Sequence, residues 1–391
     1  MASESAQDQL SNATSDPFIP PELEQVVSDE EKFFVASPLR LMWWRFRRHK
    51  LAIVSVAILI GLYLIALLWE FLAPYDPHRF DVQAVYVPPQ GLHFFDEDGF
   101  HFPPYVYGLK GGRDPETLRK IYEIDPTVKL PLKFLVRGDP YKLWGFIESD
   151  LHLFGLEDNE KAVYLLGSDR LGRDMLSRLF AATRISTSIG LAGVIISFVL
   201  GILLGGLSGY YGGTIDIAIQ RLIEFIRAVP SIPLWLALSA AIPADWPVTR
   251  VYFAITVILS LIGWTGLARV VRGKFLSLRE EDYIMAARFG GTSEMRIILR
   301  HMVPSFLSHI IASLTLAVPV MILSETSLSF LGLGMRPPAI SWGVLLQEAQ
   351  NVQSVALAPW LLSPGLLVVI AVLAFNFVGD GLRDAADPYS Q

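Results

Sequence analysis

The chain reads as an all-α integral membrane protein of six transmembrane helices, with a small α+β segment inserted after the first. Three observations carry this. Of 391 residues, 52% are apolar and only 18% charged, the latter well below the roughly 25% of soluble domains. Six runs free of Asp, Glu, Lys and Arg occupy 51–69, 185–215, 228–244, 251–268, 302–324 and 356–379; the third is short for a crossing and the others are long enough. Lys and Arg gather on alternate connections between them, as orientation in a bilayer demands. Backbone groups cannot be left open in lipid, so the runs are helices rather than strands.

In chain order, residues 1–35 are rich in Ser, Asp, Glu and Pro and are expected to be disordered. Residues 36–73 hold an amphipathic, Trp43- and Trp44-bearing interfacial lead-in and the first span. About fifty residues precede that span and no small-residue cleavage site follows, so it reads as a retained anchor. Arg40, Arg45, Arg47, Arg48 and Lys50 crowd its front and place the N-terminus on the cytoplasmic side. Residues 74–165 form the insertion. There, 91–102 reads as a hairpin of aromatic arms joined by an acidic turn ending at Gly99, 115–122 as a helical turn or two, 130–136 as a strand, and Asp139-Pro140-Tyr141 as a turn. Its histidines (His78, His93, His101, His152) fit no metal-ligand spacing.

Residues 166–391 form a five-helix core. The third helix is expected to start near Ile217, with Arg221, Glu224 and Arg227 at or beyond the interface. The connection between the fourth and fifth spans carries Arg269, Arg272, Lys274, Arg279, Arg288, Arg296 and Arg300, whereas the opposite connections hold Arg250 and Arg336. Both termini therefore fall on the cytoplasmic side. Pro230, Pro233 and Pro319 interrupt helices at membrane depth, as packing kinks or as pivots. His309 and Asn376 are intramembrane polar groups suited to bonds between helices.

Several classes are excluded. The chain has no cysteine, hence no disulfide and no thiol chemistry. It has no basic tract interleaved with aromatics, so nucleic-acid binding has no support. It has no Gly-x4-Gly-Lys-Ser/Thr loop; Gly273-Lys274 is followed by Phe275.

The polar connection 276–304 carries the functional signal. Apolar and charged positions alternate at helical spacing over 276–288. Gly290-Gly291 then breaks the helix, and Thr292 or Ser293 offers a cap for a second helix toward Pro304. Such a helix–turn–helix is a stiff projecting knob. Ala286 and Ala287 allow a partner's backbone to approach, and Arg288 and Arg296 can bond acidic groups on it. An ordinary basic loop is the alternative on composition alone.

The order Asp282-Tyr283, Met285-Ala286-Ala287-Arg288, Gly291-Thr292, Arg296 and Arg300-His301-Met302-Val303-Pro304 resembles the ATPase-coupling loop of bacterial ABC-importer permeases. Met285 stands where that family has an acid, so packing replaces an ion pair there. Further stretches resemble the C-type permease of oligopeptide and dipeptide importers: 166–174 (Leu-Gly-Ser-Asp-Arg-Leu-Gly-Arg-Asp) with Arg184-Ile185-Ser186, Gly209 to Gly213 with Asp216 and Arg221, 325–334, Pro337-Pro338, Ser341-Trp342-Gly343, Ala358-Pro359-Trp360, Pro364-Gly365 and 379–385. The resemblance covers 40–73 loosely and 165–391 well, but leaves 80–160 unexplained. It implies the type I ABC-importer permease fold and a non-enzymatic subunit without cofactor. Its implied partners are a second homologous permease, two ATP-binding subunits or domains that hold ATP and Mg, an extracytoplasmic solute-binding protein, and the lipid bilayer. It implies peptide cargo, with nickel chelates, opines or sugars as alternatives. Glu325 and Ser329 are candidates for the substrate pathway, with Glu325 equally suited to fixing the outer loop. A membrane-anchored enzyme or sensor with an external domain is the rival reading.

Overall fold

The computed structural model describes residues 38–96, 99–113, 115–116, 120–157 and 162–386. Expectations for 1–35, the acidic tip of the first hairpin and the last five residues lie outside these.

The short helix α1 (Pro38–Phe46) lies against the C-terminal helix and leads into α2 (Lys50–Leu72). The β-rich insertion follows. A bundle then forms from α3 (Met175–Tyr211), α4 (Gly213–Ala228), α5 (Ser231–Ala240), α6 (Val248–Leu278), α7 (Asp282–Phe289), α8 (Leu307–Phe330), α9 (Trp342–Glu348), α10 (Val352–Leu357) and α11 (Ser363–Ala386). Among the described residues, five helices are long and apolar enough to span a bilayer. A sixth crossing exists only if α4 and α5 are taken together, bent by 84°. The bend falls where Val229 and Pro230 leave helical geometry; Pro230 has no amide to continue the ladder. Pro319, by contrast, sits inside a continuous α8.

The longest contact in the bundle joins α3 to α6. A Cβ added at Gly205 would lie 2.5 Å from the Ala268 carbonyl oxygen, and one at Gly209 2.8 Å from that of Arg272. Together with Gly201, against Leu267, these glycines repeat every fourth residue and let the two backbones meet. Ion pairs complete the frame. Arg272 grips Asp216 through two 2.5 Å bonds, fixing α6 to α4, and Arg184 reaches Glu70 at 2.8 Å, fixing α3 to α2.

The insertion contains β1 (His93–Asp96), β2 (Gly99–Arg113), β3 (Lys120–Pro131), β4 (Lys133–Leu143) and β5 (Ile147–Gly155). The first three form one antiparallel sheet and β4–β5 a separate hairpin. Val106, Leu132, Leu156 and Val163 make a small core beneath them. The expected hairpin over 91–102 is β1–β2. Other expectations are corrected. Among the described residues the insertion holds strands and one 3-10 turn (Val82–Ala84) but no α-helix; within 115–122, residues 115–116 are a turn and 120–122 belong to β3. The strand expected over 130–136 is interrupted at Leu132, which lies between the end of β3 at Pro131 and the start of β4 at Lys133. Asp139-Pro140 is not a turn but a register shift inside β4, between Arg137 and Tyr141. An irregularity of that kind is where a strand tolerates a residue without an amide proton.

Candidate functional site

The knob is built on an apolar plug. In α7, Ile284 and Ala287 are three residues apart and share one face. Ile284 is buried with Tyr210, Phe275, Ile297, Ile298, Met302 and Phe306, and Ala287 packs on the same cluster. The opposite face leaves Asp282, Tyr283, Met285, Ala286 and Phe289 exposed, Phe289 to 87%. Met295 and Leu299 add to this exposed apolar surface from the next turn.

Helix α7 is closed by paired bonds from the Thr292 amide to the Ala287 carbonyl and from the Gly291 amide to the Arg288 carbonyl, each 3.1 Å. This is the Schellman arrangement, which needs a left-handed residue at Gly291. Gly291 has φ +75° and no neighbour within 4 Å of a built Cβ, so backbone conformation alone selects glycine. Ser293 occupies the cap position of the following turn (Glu294–Arg296), without a side-chain bond. The second arm is less regular than expected. Residues Ile297–Met302 form a π-helix, Pro304 lies in a short turn (Val303–Ser305), and Phe306 (φ −126°, ψ 24°) breaks the helix before α8. A π segment at this point marks the joint between knob and span.

The knob is tied to the bundle as well as packed on it. Tyr211 donates a 2.5 Å hydrogen bond to Glu294, and the Arg288 guanidinium lies 5.2 Å from the Tyr210 ring centre. Phe306 meets Phe275 edge to face, with ring centres 5.9 Å apart. Arg288, expected to point at a partner, thus gives one face to Tyr210. Arg296 is exposed. Sequence reasoning had not singled out Phe289; its outward direction follows once Ile284 and Ala287 fix the inward face.

At the other end of the 37-residue α3 (about 55 Å at 1.5 Å per residue) lies a buried polar cluster. Glu325 and Ser329 have no exposed surface. Glu325 accepts bonds from Ser329 (2.7 Å) and Ser186 (3.1 Å). The Ser186 hydroxyl in turn accepts the Trp342 amide, and the Ser329 hydroxyl that of Met335. The loop 331–341 and α9 are thereby fastened to α3 and α8. Beside it, Arg178 is bonded to the fully buried Asp169 and lies 3.4 Å from Glu348, while Arg173 bonds Asp169 at 2.7 Å and Glu348 at 2.8 Å. Asp174 caps α3 through 2.7 Å bonds from the Ser177 amide and hydroxyl.

Comparison with known families gives the class of this helical membrane subunit, which is a component of a transport system. Residues 176–389 match the family described as binding-protein-dependent transport system inner membrane component, and the chain belongs to that family. Residues 37–89 match the N-terminal transmembrane domain of oligopeptide transport permease C. The chain is 35% identical over 57% of its length to 70% of the oligopeptide transport system permease protein OppC of Bacillus subtilis. It is 28% identical over 88% of its length to 84% of the dipeptide transport system permease protein DppC of the same organism. A glutathione transport system permease protein, GsiD of Pectobacterium atrosepticum, is 36% identical over 64% of this chain and 79% of its own. Among solved structures, inward-facing forms of the MetNI methionine ABC transporter match at 20% identity and TM-score 0.42, over 54% of this chain and 97% of that one. The chain is thus a multi-pass inner-membrane permease subunit of a peptide-type ABC importer, of the OppC/DppC type, with a β-rich insertion between its first span and its core.

Proposed function

We propose that this chain pairs with a second permease to form a pathway for short peptides, and that ATP-binding chains drive it through residues 276–304. The observation that carries the reading is the knob: a glycine-capped helix whose inner face is bolted to α3 and α6, while Tyr283, Met285, Ala286 and Phe289 face outward. A surface built that way transmits displacement and offers packing contacts. Asp282, Thr292, Arg296 and Pro304 border it and complete the coupling set. The Lys- and Arg-rich connections lie at this end, so it is the cytoplasmic one, with both termini; the insertion faces the compartment from which a solute-binding protein delivers cargo. ATP and Mg act on the partner chains. Peptide cargo is supported by the names that the relatives carry. Glu325 and Ser329, the candidates for the pathway, are fully buried in this chain and hold the outer loop against α3, so that motion of α8 reaches that loop directly.

Gly291→Val tests the coupling. Valine cannot hold φ +75° without strain, so the α7 cap is lost while the spans insert normally. The expected outcome is wild-type membrane abundance with peptide uptake reduced at least tenfold in vesicles. Normal coupled uptake at normal abundance contradicts the proposal.

A further inference from the structure

The tip of the β4–β5 hairpin departs from what a solvent-facing turn requires. Trp144, a bulky residue, adopts φ 54°, followed by Gly145 at 85°. A non-glycine residue there is strained, and a large aromatic more so. The strain brings the indole to α2, where Nε1 donates a 2.8 Å hydrogen bond to the Leu67 carbonyl. The next residue of α2, Leu68, is the one position in that helix with non-helical torsions (φ −114°, ψ 19°).

Two further ties fix the direction of the hairpin. His152 on β5 places Nδ1 2.5 Å from the Ala73 carbonyl oxygen, just past the end of α2. Asp139 on β4 accepts the Asp76 amide at 3.0 Å. From tip to base, the hairpin therefore follows the chain from Leu67 to Ala73 to Asp76, out of the span. Its turn points down the helix. Leu67 lies five residues before the end of a 23-residue apolar helix, about 7 Å in from that end. That is interfacial depth.

The surroundings are apolar. Phe146 is 72% exposed, and Ile147 and Trp144 are also exposed. They adjoin the outer ridge of α2, where Ile60, Leu64 and Leu67 are exposed too. Only 17% of the apolar window of α2 is buried within the chain, against 39–50% for the other four spans. Directly above the turn, Lys142 and Glu148 form a 3.0 Å ion pair. Apolar tip, aromatic with a polar handle, then charge is the order of chemistry met when leaving a bilayer.

We propose that the β4–β5 turn is a membrane anchor for the insertion, with Trp144, Phe146 and Ile147 seated in lipid at the headgroup–acyl boundary beside α2. Lys142 and Glu148 limit its depth to the headgroups. The insertion is then held against the membrane surface at its far corner, not only at its two chain connections. Lipid is the occupant because the patch continues a lipid-length apolar ridge and ends in charge at the depth where the bilayer does.

The absence of cysteine from the sequence gives a clean test. A spin label on Phe146→Cys is compared with one on Lys133→Cys, at the base of the same hairpin and about 30 Å along the strand. The full chain is reconstituted in lipid nanodiscs with the subunits that co-purify with it. At position 146 relaxation by oxygen is expected to exceed that by a water-soluble nickel chelate several-fold, with the order reversed at 133. Equal access of the chelate to both sites places the tip in water and overturns the anchor. Exclusion of both reagents from 146 puts a protein surface there instead of lipid, and overturns it equally. Phe146 is exposed, so its replacement does not disturb the fold.

Discussion

Asp174 joins the insertion-end loop to α3, and its charge state follows from where it sits. Burial pushes its carboxyl up to about 6, against the lowering by the Ser177 bonds, and the neighbouring Asp169 carboxylate adds to the rise. A raised acid pKa means that the folded chain holds this proton more tightly than the unfolded chain. The Asp174 contribution therefore favours folding below 3.8, is lost as pH climbs from 3.8 to about 6, and remains lost above that. The difference corresponds to about 3 kcal/mol. Asn caps a helix as well as Asp does. Asp174→Asn should thus raise the midpoint of thermal unfolding in detergent at pH 7 and flatten its decline between pH 4 and 6. Parallel midpoint-versus-pH curves for the two proteins contradict this account. Nothing in the sequence announces the shift: a cap residue followed by Ser177 is legible, but its burial depends on loop 166–174 being pressed against α9 by Asp169, Arg173 and Glu348.

At the level of elements, the α3–α6 contact rests on a glycine stripe whose effect can be isolated. Gly205→Val sets a side chain against the Ala268 backbone and should split the pair, reducing the yield of monodisperse protein severely. Gly266→Ala, on the exposed face of α6 with nothing within 4 Å of its built Cβ, should leave yield and uptake unchanged. Equal behaviour of the two variants in size-exclusion chromatography contradicts the packing argument. Five spans were legible because lipid forces an uninterrupted apolar run, and the hairpin over 91–102 because its arms are aromatic; the third expected span was not, since its run is broken at Val229 and Pro230. Which glycines face which helix was not, since a repeat every fourth residue names a face without naming its partner. The same limit applies to Arg288, which is exposed yet also lies over the Tyr210 ring, a contact that no spacing announces. It also explains Asp139-Pro140, where turn-forming residues serve as a bulge because β5 continues alongside. The π-helix at Ile297–Met302 has no sequence signal beyond the nearby Pro304.

Across the whole molecule, the two ends of the bundle have opposite construction. One is closed by buried charge, Arg178 with Asp169 and Glu348, and carries the insertion; the other ends in exposed Tyr283, Met285 and Phe289 on the buttressed α7, with Met295 and Leu299 exposed in the segments that follow it. Exposed apolar groups gathered in this way mark an interaction surface. The proposed partner of this surface is an ATP-binding chain, as the resemblance over 276–304 implies. The measurement that bears most directly on this is a crosslink from Phe289→Cys in membranes containing the assembled transporter. A short bifunctional reagent should join it to an ATP-binding chain in a single adduct, with a yield that changes when nucleotide is added. No adduct, together with full reactivity of that cysteine toward a water-soluble maleimide, would mean that the knob touches only solvent and would contradict the account.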